Sequence, residues 1–189
     1  MTVPMPAHNV SQDNFNMVMA RFEPENNIDM VLEGVVESGI DKPILVIGNH
    51  NTKHGEYLKK KFASHPHIRF MGGIYNLAHL DSLRYFSSLY FHGHSVGGTN
   101  PSLLEAMASG ALICAHENDF NKGVLADNGF YFPTASAVAK LIQDVKKSDN
   151  LQRVENNLQA IRTNFNWEKI NSDYLRYFER CLEKGKKGN

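Results

Sequence analysis

The feature that most constrains this chain is an alternation of two hydrophobic periods. Short apolar runs rich in β-branched and aromatic residues stand at 15–20 (FNMVMA), 43–48 (PILVIG), 68–71 (IRFM), 88–92 (SLYFH), 111–115 (ALICA) and 129–132 (GFYF). Each has the length of a buried strand. Between them apolar residues recur at helical spacing. Ile28, Val31, Leu32 and Val35 mark the first such segment, Tyr57, Leu58, Lys61 and Phe62 the second, and Leu77, Leu80, Leu83 and Phe86 the third. Leu103, Leu104 and Met107 mark the fourth, and the fifth, at 120–126, is short. Strands alternating with helices predict an α/β fold: a doubly wound, Rossmann-like, six-stranded parallel sheet with helices on both faces.

Beyond the sixth run, 134–147 reads as a further helix, followed by a polar break at 146–150 and by helices at 151–164 and 167–184. The organisation expected is therefore a tail or linker at 1–14, a Rossmann-like domain at 15–147 and C-terminal helices at 148–189 that pack on the same domain. Trp167, Ile170, Tyr174, Phe178 and Cys181 fall along one helical stripe, which on amphipathicity alone predicts burial in that core.

A length of 189 residues with 42% apolar content is enough for one substantial core. Lys+Arg and Asp+Glu are both 20, so no overall field attracts nucleic acid or an anionic membrane, and any bound anion must be held by a few placed donors. Two cysteines, Cys114 and Cys181, are too few for a disulfide framework. No apolar run approaches the roughly 20 residues that span a bilayer, and the N-terminus has no signal-peptide pattern. The expectation is a cytoplasmic chain with no direct membrane insertion.

In the commonest doubly wound sheet the strand order is 3-2-1-4-5-6, and ligands bind beyond the carboxyl ends where the order reverses. That rule places the loops after strands one and four side by side, and these are the two unusual loops of the sequence: Arg21–Asn27 and Gly93–Pro101. Gly97 and Gly98 let backbone approach a ligand, Asn100 is a good N-cap, and Pro101 suits a first helical position. The helix starting there would aim free N–H groups and a positive dipole end at a phosphate. Glu105, one turn inside, is suited to accept hydrogen bonds from two vicinal hydroxyls. A plain glycine turn leading into a capped helix fits these local features equally well. Arg21, at the mouth of the crevice, either grips a diphosphate with its planar fork or pairs with Glu23 or Glu25. The segment after strand one contains no glycine, so the G-x-G-x-x-G pattern of a dinucleotide-binding enzyme is absent.

These segments carry a resemblance. Residues 19–34 (MARFEPENNIDMVLEG) are similar to the arginine-bearing turn that opens the donor domain of family 4 glycosyltransferases of the GT-B fold. Residues 67–74 (HIRFMGGI) resemble the segment that holds the nucleotide base there, and 165–178 (FNWEKINSDYLRYF) resemble the closing helix. Residues 92–110 (HGHSVGGTNPSLLEAMASG) resemble the acidic motif, in a form similar to bacterial rhamnosyltransferases that build capsular and cell-wall polysaccharides.

The resemblance implies that Glu105 binds ribose hydroxyls and Arg21 the diphosphate. It also implies that Gly97, Gly98, Thr99 and Asn100 line the phosphates and sugar, and that Gly73 and Ile74 meet the base through the backbone. Three departures stand out. Asn26 occupies the place of a family lysine. The first family glutamate falls on Gly97 or Ser95, according to alignment. Around Gly123 the usual acidic residue is missing, and Lys122 is a candidate for the charge that Asn26 lacks.

The resemblance thus points to the donor half of a retaining glycosyltransferase, with a dTDP- or UDP-sugar as substrate, no cofactor and no metal. Its acceptor-binding half would be an N-terminal GT-B domain, in the same full-length chain or in a separate subunit, and the whole enzyme would work in the cytoplasm at the inner face of the membrane. Another class of reading is a non-catalytic nucleotide-sugar-binding subunit or regulatory module. A third is a metal-dependent hydrolase built on His92 and His94, which share a strand face.

Overall fold

The computed structural model describes residues 8–186, with side chains to Glu183. Six strands form one sheet in the order β3-β2-β1-β4-β5-β6, and every neighbouring pair is parallel. The strands are β1 (Asn16–Met19), β2 (Ile44–Ile47), β3 (Ile68–Gly72), β4 (Tyr90–His92), β5 (Ile113–His116) and β6 (Phe130–Phe132). Helices α1 (Ile28–Glu37), α2 (Lys53–Lys61), α3 (Leu77–Phe86), α4 (Pro101–Ala108) and α5 (Asp119–Leu125) connect them. Helices α6 (Ala135–Asp144), α7 (Leu151–Asn164) and α8 (Trp167–Lys186) come after the last strand. The fold class and the switch of strand order between β1 and β4 agree with the sequence reading.

Both sheet faces are covered, which is why the strands read as near-continuous apolar runs rather than as alternating ones. Alternation still decides which side chain goes where. Val18, Ile44, Val46, Phe91 and Phe132 pack with α1, α2 and α6 on one face. Met17, Leu45, Ile47, Tyr90, Ile113 and Ala115 pack with α3, α4 and α5 on the other. Side-chain caps start the helices: Thr52, Asn76, Asn100, Asn118 and Thr134 each accept a hydrogen bond from an N–H of the first turn. Tyr57 and Leu77, expected on helix core faces, are instead 49% and 67% exposed. Tyr57, in the middle of α2, and Leu77, the first residue of α3, stand off the narrow apolar arcs that bury Leu58 and Leu80.

Two expectations need correction. Of the supposed tail at 1–14, residues 1–7 lie outside the described residues, but 8–14 pack against the domain. Val10 is buried, the His8 ring stacks on His79 at 4.9 Å, and the Asp13 N–H donates to the Phe86 carbonyl at 2.8 Å. Of the C-terminal helices, α7 packs on the sheet domain through Val154, Leu158 and the Asn157 side chain that donates to the Asn128 carbonyl. α8 does not. Of the stripe read as core, Trp167, Tyr174 and Phe178 are all more than half exposed and Cys181 is exposed, while Ile170 is only partly covered, so most of the stripe is bare among the described residues. Periodicity reports that a face wants cover and is silent on what supplies it.

Candidate functional site

At the carboxyl ends of β1, β2 and β4 the loops enclose a crevice of about 770 Å³. Two close approaches create it. Gly48 ends β2 with φ of +149°, and a Cβ there would lie 2.1 Å from the Ala20 carbonyl oxygen. Gly93 ends β4, and a Cβ there would lie 2.0 Å from the Asn26 carbonyl oxygen. Only glycine permits backbone to pass this near backbone. The loops after β1 and β4 are then tied across the switch point. Asn27 Nδ2 donates to the Gly93 carbonyl at 2.7 Å, and both the Ser95 N–H and its Oγ donate to the Glu25 carbonyl.

Of the residues named from sequence, the crevice wall brings together Arg21, Asn26, Gly73, Ile74, Asn100 and Glu105. Arg21 is exposed at the mouth and pairs with neither Glu23 nor Glu25 among the described residues, which leaves its fork free for an anion. Asn26 is wholly buried and donates from Nδ2 to the Arg21 carbonyl at 2.7 Å, so it braces the arginine's own turn. Ser95 is likewise engaged in loop closure. Gly97, Gly98 and Thr99 form an exposed tip beside the crevice rather than its wall, and φ of +100° at Gly97 turns that tip. Lys122 is not part of the wall. It pairs with Glu117 at 2.7 Å and lies over the Tyr131 ring, so the structure does not deliver its charge to the place Asn26 leaves neutral.

The anion seat also differs in detail from expectation. At the start of α4, Pro101 has no N–H, Asn100 Oδ1 accepts from Ser102 N at 3.0 Å, and the Leu103 N–H donates to the Asn100 carbonyl. The helix end therefore contributes its dipole, while its first amides are already used. In the loop tip, the amides of Val96–Thr99 make no hydrogen bond among the described residues.

Several contributors went unnoticed in the sequence. Asn49 and Thr52, in the polar loop after β2, line the crevice together with Phe22 and Tyr75. Tyr75 is 88% exposed and lies beside Gly73, an aromatic face left open at the rim. The available signal was a Gly-Asn-His-Asn-Thr run directly after a strand that neighbours the switch point. Asn118 and Asn121 donate to the His94 carbonyl at 3.0 and 3.1 Å and so hold the β4 loop from the side of α5. Arg84 is wholly buried on α3 and donates from Nη2 to Glu105 Oε2 at 2.6 Å.

His92 and His94 do share a face, with rings stacked at 4.5 Å and tilted by only 13°. His92 is fully buried with neither ring nitrogen hydrogen-bonded, and burial, aided by His94, pushes it down to about 3. Burial first, and the nearby Arg21 cation second, hold His94 below the usual histidine value, which also places the arginine charge near this ring. Among the described residues no three His, Cys, Asp or Glu side chains are grouped to hold a metal ion. Among the same residues no helix is long and apolar enough to cross a membrane.

Comparison with known proteins supports this picture of the fold. No family model matches the chain. It is 29% identical over 177 residues to an uncharacterized glycosyltransferase of Methanocaldococcus jannaschii, covering 80% of this chain and 42% of that protein. It is 26% identical over 177 residues to the phosphatidyl-myo-inositol mannosyltransferase of Mycobacterium leprae, covering 87% of this chain and 46% of that one. The chain thus spans somewhat under half the length of the curated relatives it matches. Among solved structures it superposes on HepE of Anabaena, determined with UDP and glucose, with a TM-score of 0.74 and 14% identity over 89% of this chain and 49% of that one. The chain has the fold of one half of a GT-B-like glycosyltransferase.

Proposed function

We propose that the chain is the donor-binding half of a retaining glycosyltransferase that moves a sugar, with rhamnose as the first candidate, from a dTDP or UDP carrier to a polysaccharide or lipid-linked acceptor. The observation that carries this reading is the placing of Arg21 and the Glu105 carboxylate in the wall of one crevice at the switch point, with the Val96–Thr99 amides, unpaired among the described residues, in the loop tip at its edge. Departure of a nucleoside diphosphate places growing negative charge on its phosphate oxygens. A guanidinium, a set of backbone N–H groups and a helix dipole fixed in advance stabilise that charge without reorganising. Neutral His94 beside Arg21 adds a polar ring without a competing positive charge. Glu105 accepts from the hydroxyls of the nucleoside sugar, two in UDP and one in dTDP, and the Gly73–Ile74 backbone meets the base.

The acceptor is held by a second GT-B half, in the same full-length chain or as a separate subunit. Support comes from the length of the relatives and from α8, whose apolar face lacks a cover within the described residues. Twenty residues of helix with one apolar side are a natural seat for a neighbouring domain. Alone, the chain binds donor and transfers nothing, because an open crevice neither positions an acceptor hydroxyl nor excludes water. The non-catalytic module differs in one respect: supplying an acceptor half would not start turnover.

Titration calorimetry with UDP and dTDP tests the donor site. One of them binds, and Arg21→Ala and Glu105→Ala each weaken it by about 1.5–3 kcal/mol, the usual worth of a charged hydrogen-bonding group. Wild-type affinity in both variants removes the site assignment.

A further inference from the structure

Glu105 does not stand free in the crevice. Its Oε2 accepts from Arg84 Nη2 at 2.6 Å, while Oε1 has no partner among the described residues and the side chain is 48% exposed. Arg84 comes from a different element, α3, and none of its own side chain is exposed. Its second amino group donates to Asp81 Oδ1 at 3.0 Å, and its Nη2 also touches Met19 Sδ at 3.6 Å. Ser109 Oγ sits between Asp81 Oδ1 at 3.0 Å and the Glu105 carbonyl at 2.7 Å, closing a ring that links α3 to the end of α4.

A wholly buried guanidinium is a costly choice for filling space, since a methionine or leucine would pack there without a charge to neutralise. Nor is it satisfied by what surrounds it: Arg84 Nε and the neighbouring Tyr90 hydroxyl are both buried without a hydrogen-bond partner. What the arginine accomplishes is geometric. Its planar fork has few ways to engage two carboxylates at once, so the Glu105 rotamer is fixed. Because only Oε2 is held, Oε1 and the outer lone pairs remain available, and Glu105 is part of the crevice wall together with Ile74, Pro101 and Ser102.

We propose that Arg84 is a positioning residue for hydroxyl recognition: it pins Glu105 before the donor arrives, so that the carboxylate meets the 2′- and 3′-hydroxyls of a ribonucleotide such as UDP, of which dTDP keeps only the 3′-hydroxyl, without first losing side-chain freedom. This rests on the donor-binding reading above and adds to it the residue that sets how strictly the diol is read.

The test compares UDP with 2′,3′-dideoxy-UDP by titration calorimetry on the full chain. The ratio of the two affinities isolates the hydroxyl contribution from any general loosening. Wild type should favour UDP by at least tenfold. Arg84→Met should bring the ratio close to one while binding of the dideoxy compound changes less than threefold. Arg84→Lys, which returns the charge but not the fork, should fall between them, and it carries the test alone if the methionine variant does not fold by circular dichroism. A wild-type ratio in a folded Arg84→Met, or in Arg84→Lys where only that variant folds, overturns the proposal. So does wild type binding both compounds equally, a result that leaves the donor site itself standing. Wild type binding dTDP but not UDP likewise overturns the diol reading and leaves the donor site standing, while absence of binding of both would remove the donor reading and this inference with it.

Discussion

Replacing Asn26 by aspartate tests whether this side chain is the brace of the arginine turn. Asn26 is completely buried, and its Nδ2 lies 2.7 Å from the Arg21 carbonyl, an oxygen that also accepts from the Glu23 N–H at 2.9 Å. Truncation to alanine removes one neutral hydrogen bond and an Oδ1 that has no partner, so its cost should be small, about 1 kcal/mol. Aspartate is worse, because a carboxylate oxygen would face the carbonyl at the same distance in a buried site. The upper limit of the penalty is set by protonation. A buried carboxyl neutralises rather than carry its charge, and holding a group of ordinary pKa about 3.9 protonated at pH 7 costs about 4 kcal/mol, at about 1.36 kcal/mol per pH unit. The protonated form can then donate its O–H to the Arg21 carbonyl and restore the lost bond.

The carboxyl introduced by Asn26→Asp thus has a folded-state pKa raised above its unfolded value, and its proton is bound more tightly in the folded chain. Stability of the variant relative to wild type falls as pH rises above about 4 and levels off at the folded pKa. At pH 7 a deficit near the limit lowers Tm by about 8–16 °C, at about 2–4 °C per kcal/mol for a chain of this size. At pH 5 the deficit shrinks to about 1.5 kcal/mol. Thermal melts of wild type, Asn26→Ala and Asn26→Asp at pH 5, 6 and 7 measure this, and taking differences cancels the titration of other groups. An aspartate variant that melts with wild type at pH 7, or a deficit that does not shrink in acid, refutes the brace.

The same contacts give three further expected outcomes. Gly93→Ala places a methyl group 2.0 Å from the Asn26 carbonyl oxygen, so the loops after β1 and β4 must separate; both Tm and UDP affinity should drop, read by melting and calorimetry. Burial pushes His92 down to about 3, below its unfolded value, so it contributes stability at neutral pH that is lost as pH falls from about 6.5 towards 3; His92→Phe should show a shallower loss over that window in acid-unfolding curves. Tyr174→Ser with Phe178→Ser removes two exposed rings from α8 and should shift the Tm of the isolated chain by less than about 2 °C, while abolishing association with an added acceptor half in analytical ultracentrifugation.

The layout of the sheet was readable because each strand is buried on both faces and each connecting helix carries its own apolar stripe. Strand order then came from topology, and the two loops at the switch point were found without reference to their composition. Roles inside the site were less readable, since a polar residue's role depends on what lies across from it. Asn26 and Lys122 both suit an anion site by residue type, yet one is consumed by the Arg21 carbonyl and the other by Glu117. Arg84 meets Glu105 across 21 positions, and its sole local mark is a basic residue four places after Leu80 on an apolar helix face. The α8 stripe was legible as apolar and illegible as bare, because periodicity does not say which surface a helix covers.

The central claim is that a nucleoside diphosphate sits in the crevice at the β1–β4 switch point. Titrating UDP or dTDP into isotopically labelled chain and following backbone amide chemical shifts tests it most directly. The account predicts saturable shifts concentrated in Arg21–Asn26, Gly48–Thr52, Gly73–Tyr75 and His94–Ser102, with the Val96–Thr99 amides moving most because their N–H groups are free to donate. Shifts centred instead on the groove of about 600 Å³ at the amino ends of the strands, lined by Asp13, Tyr85, Lys147 and Leu151, would contradict it, as would no shift at millimolar nucleotide.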